Sequence, residues 1–129
     1  MKNVKFLNYD CKVELNRYRQ SNRLSISLVS AVSNPDKDLF EGEPIATATV
    51  NIPEEDIGEN QVMIKDYSEN TGMTKALEEA GLIVFNQNTK SFGIGSGSVV
   101  IADMSEELIQ QVKNDQSLAL PQQTKKLKR

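Results

Sequence analysis

The 129-residue sequence predicts an α+β domain: an antiparallel β-sheet of about six to seven strands with two α-helices packed on it. Three observations carry that expectation. Apolar and polar residues alternate through several runs of the first half, the period of half-buried strands. Two later segments space their apolar residues at helical intervals. Turn formers such as Asn, Pro, Asp and Gly punctuate the runs closely, which suits hairpins better than long crossovers.

In chain order, Val4, Phe6 and Leu7 mark a first strand, and Asn8-Tyr9-Asp10 reads as its turn. Cys11, Val13 and Leu15 then alternate with Lys12, Glu14 and Asn16 as a second strand. After the polar break Gln20-Ser21-Asn22, Leu24, Ile26 and Leu28 alternate with serines as a third. Asn34-Pro35-Asp36 and Glu41-Gly42-Glu43-Pro44 make Ser33–Glu43 a connecting loop. Ile45–Ile52 is rich in β-branched residues and predicts the best-defined strand, with Ala46, Ala48, Val50 and Ile52 inward. Pro53 ends it, Glu54-Glu55-Asp56 leads through Gly58, and Val62-Met63-Ile64 form a further strand.

A helix is expected over Thr71–Ala80, where Met73, Ala76, Leu77 and Ala80 share a face. Asn70 or Thr71 would cap it and Gly81 would close it. Leu82–Phe85 returns as a buried strand, Asn86–Lys90 is a turn, and Gly93–Gly97 is a flexible connection before a last strand at Ser98–Ile101. A second helix follows Asp103, whose spacing to Glu106 is that of a capping box, with Leu108, Ile109 and Val112 as its apolar stripe. Residues 1–113 form the domain, and 114–129 are expected to be a flexible basic tail. Leu15, Ile26, Val50, Leu77, Ile83 and Val100 are the expected core.

Composition narrows the chemistry. No run approaches the ~20 apolar residues of a membrane span, and the N-terminus lacks the apolar segment of a signal peptide, so a cytoplasmic protein without membrane contact is expected. Cys11 has no second cysteine to pair with, and the chain has no histidine. The usual zinc and iron–sulfur ligand sets are therefore missing, and so are Ser-His-Asp and Cys-His catalysis. No cofactor or metal site is assigned, and an enzyme is disfavoured. Carboxylates, Tyr or Lys with shifted pKa values could still carry acid–base work.

Charge is uneven along the chain. Residues 1–24 carry six cations against two carboxylates and the last nine carry four cations, so with a net charge of −3 the residues between them sum to −11. Asp36, Asp38, Glu41 and Glu43 form one acidic loop, and Glu54, Glu55, Asp56 and Glu59 a second. Their spacing is not that of an EF-hand, and the bland reading is solvation. On one side of the fold they would attract a basic partner. Lys65–Asn70 gathers Asp66, Tyr67 and Glu69 before a helix, either a small acid–base loop or residues that satisfy backbone amides. Gly93–Gly97 lacks the Lys-Ser/Thr ending of a phosphate loop and reads as a turn. Lys125, Lys126, Lys128 and Arg129 offer nucleic acid a nonspecific electrostatic contact, while a chain with no Trp has little stacking surface. Cys11 reads as a small core residue.

Three segments carry a resemblance: Lys5–Cys11, the string from Gly42 to Pro53 (GEPIATATVNIP), and Ile64–Met73 (IKDYSENTGM) continuing through Ala76–Ile83. On them, roughly residues 3 to 84, the chain resembles a small domain-of-unknown-function family carried by gut bacteria, their phages and conjugative elements. The resemblance implies a mobile-element setting and carries over no catalytic residues. Accessory proteins of such elements often act by binding a host protein or nucleoprotein. An inhibitor of a host defence system is the leading expectation, for instance an anti-CRISPR protein that fills the positive channel of a guided effector with its acidic middle. A Mg-dependent nuclease or hydrolase using the Asp66/Glu69 region or the acidic loops, and a non-inhibitory partner of replication or conjugation, are the alternatives. Edge strands could also pair two copies into a homodimer.

Overall fold

The computed structural model describes residues 2–84, 89–94 and 97–119. It is α+β, with two antiparallel sheets of four strands. β1 (Val4–Phe6), β2 (Tyr9–Arg17), β3 (Leu24–Ser30) and β4 (Pro44–Thr47) make the first sheet in chain order. Cys11 stands opposite Val4 and Leu15 opposite Ile26, which puts the alternating apolar residues of neighbouring strands on one face. Because Phe6 pairs with Tyr9, the first turn is Leu7-Asn8 rather than the expected Asn8-Tyr9-Asp10. Leu7 there takes φ 55°, the left-handed conformation that a two-residue hairpin demands.

In the second sheet β8 (Gly97–Met104) is central. β5 (Gln61–Asp66) lies along one edge, and β7 (Lys90–Ile94) and β6 (Ile83–Val84) share the other. Gly93 thus belongs to a strand and Gly97 begins one, where a flexible connection was expected; positions 95–96 lie outside the described residues. Lys90 is likewise in a strand, and Phe85 to Asn88, expected as a strand end and turn, also lie outside.

The expected strand Ile45–Ile52 is divided, and so is the expected single sheet. β4 ends at Thr47, and the next residues share their backbone bonds between the sheets. The Ala48 amide donates to the Ile26 carbonyl (2.8 Å), the Ala48 carbonyl accepts from the Lys65 amide (2.9 Å), and the Val50 amide donates to Met63 (3.0 Å). Ala48–Val50 is therefore a seam, with Thr49 opposite Ile64. Its buried members are Ala48 and Thr49, whereas Ala46, Val50 and Ile52 are half-buried. Thr49 tolerates burial because Oγ1 accepts from the Ile26 amide (3.1 Å) and shares a hydrogen bond with the Tyr18 hydroxyl (2.9 Å).

α1 (Met73–Glu79) packs on β1 and β5. It closes as expected: Leu82 and Gly81 donate back to the Leu77 and Glu78 carbonyls, with Gly81 at φ 80°. It begins at Met73, not Thr71, for a reason that belongs to the loop before it. α2 (Glu106–Asn114) is capped by Ser105, whose Oγ accepts from the Leu108 amide at 3.1 Å. The expected Asp103 cap fails because β8 continues through Met104, and Asp103 there accepts from the Gln61 side chain at 2.9 Å. The ordered chain also passes the expected boundary at 113. Gln116–Leu118 form a 3-10 turn, Leu118 is 3% exposed, and Arg17 Nε donates to its carbonyl at 2.8 Å.

One core joins both sheets and both helices: Val4, Phe6, Cys11, Ile26 and Leu28 meet Val62, Ile64, Ala102, Met73, Leu77 and Leu108. The opposite face of β5 and β8 buries Met63, Val99 and Ile101 beneath Val50, Ile52, Ile57, Tyr67 and Phe92. Of the expected core, Ile26, Leu77 and Ile83 are buried, while Leu15, Val50 and Val100 pack at the rim. No helix among the described residues is long and apolar enough to cross a membrane.

Candidate functional site

The Lys65–Asn70 loop is built to start a helix. β5 delivers Asp66 to the N-terminus of α1, where its carboxylate accepts from the Gly72 amide (2.8 Å) and the Thr74 amide (3.1 Å). Gly72, at φ 96°, has no side chain to cap with, so Asp66 does so from six residues upstream and α1 starts at Met73. Partial burial opposes the Asp66 charge, yet hydrogen bonds around it outweigh that and hold its pKa below the usual carboxylate range. The Thr74 hydroxyl faces the same carboxylate but completes no hydrogen bond of normal geometry.

Glu69 is turned the other way. It pairs with Lys65 at 2.8 Å, and Lys65 also sits 5.4 Å from the centre of the Tyr67 ring. The hydrogen bond lowers the Glu69 pKa and raises that of Lys65. Tyr67 packs its ring into the second apolar cluster. Asn70, which the sequence marks only as a cap, is 1% exposed and donates to the Thr47 carbonyl at 2.7 Å. Asp66 and Glu69 thus serve different partners, and no paired carboxylates face a common space here.

The two acidic loops are held at opposite ends of β3. The first is tied to its C-terminal end, where the Ser30 amide donates to the Glu43 carbonyl and the Gly42 amide donates back to Ser30, each at 2.8 Å. The second is tied to the N-terminal end by Arg23, whose guanidinium donates to the Ile52 and Glu55 carbonyls. Seven strand residues separate them, about 20 Å at ~3.3 Å per residue. The structure does not gather the eight carboxylates into one cluster.

Within the first loop, Asn34 caps a short turn at Pro35–Lys37, and Asp38 takes φ 55°. Glu41 pairs with Lys12 at 2.8 Å, which lowers its pKa, and the Glu43 carboxylate accepts from the Phe40 amide at 3.0 Å. Leu39 is buried, while Phe40 beside it is 62% exposed. In the second loop Glu54, Asp56 and Glu59 are exposed and Glu55 is half-buried. Among the described residues no group of three or more Cys, Asp or Glu is placed to hold a metal ion. Cys11 is fully buried, and desolvation followed by the Asp10 charge pushes its thiol pKa up, away from nucleophilic use. Lys125, Lys126, Lys128 and Arg129 lie outside the described residues.

Sequence reasoning missed a concavity. A cavity of about 740 Å³ lies between the β2–β3 connection, the chain from Ile57 to Gln61, α2 and the Gln116–Leu118 turn. Arg17, Arg23 and Lys113 border it. The surplus of cations before residue 24 was the available signal, but only the fold brings α2 beside them. Comparison with protein-family models, with curated proteins and with solved structures finds no match to this chain.

Proposed function

We propose that this chain is a mobile-element accessory protein that acts by binding, an inhibitor of a host defence system that blocks a nucleic-acid-guided effector in the manner of an anti-CRISPR protein. The observation that carries the binding reading is Phe40, an aromatic side chain 62% exposed in a loop that also holds Asp36, Asp38, Glu41 and Glu43. An aromatic anchor in a loop rich in carboxylates suits a basic partner surface with an apolar recess, because the ring supplies contact energy and the charges supply steering. The second acidic loop, about 20 Å away along β3, extends the same charge preference over a distance that a nucleic-acid channel would span. The setting comes from the resemblance of the Gly42–Pro53 and Ile64–Met73 strings.

The hydrolase alternative has less support: Asp66 is spent on the Gly72 and Thr74 amides and Glu69 on Lys65, and the two acidic loops are tied to opposite ends of β3. The test is binding and cleavage inhibition against guide-loaded effectors from gut bacteria. Phe40→Ala should weaken binding about thirtyfold, the effect of losing a hot-spot residue worth ~2 kcal/mol. Failure of the intact chain to bind or inhibit any such effector would sink the reading.

A further inference from the structure

The cavity beside α2 carries an inference independent of the acidic loops. Arg17 donates to the carbonyls of Leu118 (2.8 Å) and Asn22 (2.9 Å), and Arg23 to those of Ile52 (2.9 Å) and Glu55. Neutral oxygens therefore fix both guanidinium groups without cancelling their charge. A guanidinium has five N–H donors, and each of these spends two in that way. The ion pairs among the described residues use Lys5, Lys12, Lys65 and Lys75, and neither arginine nor Lys113 takes part in one. Burial lowers the Arg17 pKa, as befits a cation withdrawn from water with no anion beside it.

Two carboxylates also border the space, Glu59 and Asp115, but Asp115 is engaged by the Ser117 amide (3.0 Å) and hydroxyl (2.6 Å). Three cations against two carboxylates leave the rim positive. The rest of the wall is mixed: Ser21, Asn22, Asn60, Gln61 and Gln116 are polar, and Leu24, Ile57, Ile109 and Val112 supply apolar surface.

We propose that this cavity binds a small amphipathic anion: a phosphate or carboxylate head held by Arg17, Arg23 and Lys113, with an apolar body against Ile109 and Val112. Guanidinium forks match the paired oxygens of both head groups, and pre-fixed forks lose little entropy on binding. The volume lies within the ~300–1,000 Å³ usual for small-molecule sites. A nucleic-acid strand is the poorer fit, because among the described residues no aromatic side chain lines the cavity for a base to stack on.

Calorimetry on the full chain tests the proposal with octyl phosphate, inorganic phosphate and the uncharged octyl glucoside. Octyl phosphate should bind at least about tenfold more tightly than either of the others, since each lacks one of the two recognised parts. Lys113→Gln, which removes no member of either carbonyl clamp, should weaken octyl phosphate about fivefold with the melting temperature unchanged, the effect of one charged hydrogen bond. Val112→Trp should abolish binding by filling the apolar end, and its melting curve reports whether the variant is folded. Equal affinity for octyl phosphate and octyl glucoside would overturn the proposal. So would binding indifferent to both substitutions, or a single-stranded oligonucleotide that binds this face more tightly than octyl phosphate and ignores Val112→Trp.

Discussion

A methyl group on Gly97 would stand 1.9 Å from Cβ of Tyr67, an atom that cannot swing aside as the tip of a long side chain can. Gly97→Ala must therefore shift β8 or the Tyr67 backbone, at a cost of about 1–3 kcal/mol of unfolding free energy, read by urea denaturation. Gly93→Ala is the matched control, since its nearest neighbour is the Gly97 carbonyl oxygen at 3.6 Å, and it should change stability much less. A glycine-rich stretch is visible in any reading of the chain. The partner that makes Gly97 indispensable is not, because Tyr67 arrives from a distant segment through the pairing of β5 with β8. Asp66 is a second such case. Its folded pKa lies below the unfolded value of ~3.9, so its contribution is complete above about pH 4 and disappears as pH falls through the folded value. Asp66→Ala should cost about 1 kcal/mol at pH 7, as for other lost caps, and the gap in melting temperature from the parent chain should narrow toward pH 3.

At the scale of elements, period and punctuation made most of the fold legible. Alternation marks β2 and β3 because each has one face on the core, and Gly81 marks the end of α1 because a left-handed residue is needed there. The Ile45–Ile52 run misleads for a physical reason: extended chain looks alike whichever sheet takes its hydrogen bonds, and at Ala48–Val50 both do. Thr49 is what makes that sharing tolerable in a dry interior. Thr49→Val keeps the shape but strands the Ile26 amide and the Tyr18 hydroxyl, and should cost about 1–3 kcal/mol by chemical denaturation. The α2 cap shows the same limit. Asp103 and Ser105 are both good capping types, and β8's length, set by pairing with β5 and β6, decides between them.

Across the whole molecule, the charge imbalance was legible as sums along the chain but not as a pattern in space. The middle reads as uniformly acidic, yet β3 holds its two acidic loops apart while the β2–β3 connection and α2 bring Arg17, Arg23 and Lys113 together. Folding thus carries the first acidic loop to the far end of β3 from these cations but sets Glu59 of the second on the same rim, a placement that sums along the chain do not contain. One apolar cluster is shared by both sheets, so they should unfold as one cooperative unit, with a single transition by every probe.

The seam sets a clock for amide hydrogen exchange. The Ala48 and Lys65 amides are bonded through residues that belong to both sheets, so neither can meet solvent by local fraying. Their protons should be among the last to be replaced by deuterium, at a rate that reads out the stability of the entire chain, whereas those of the three-residue edge strand β1 should be replaced early. If Ala48 and Lys65 instead lose their protons as fast as β1, the two halves part company long before either one melts.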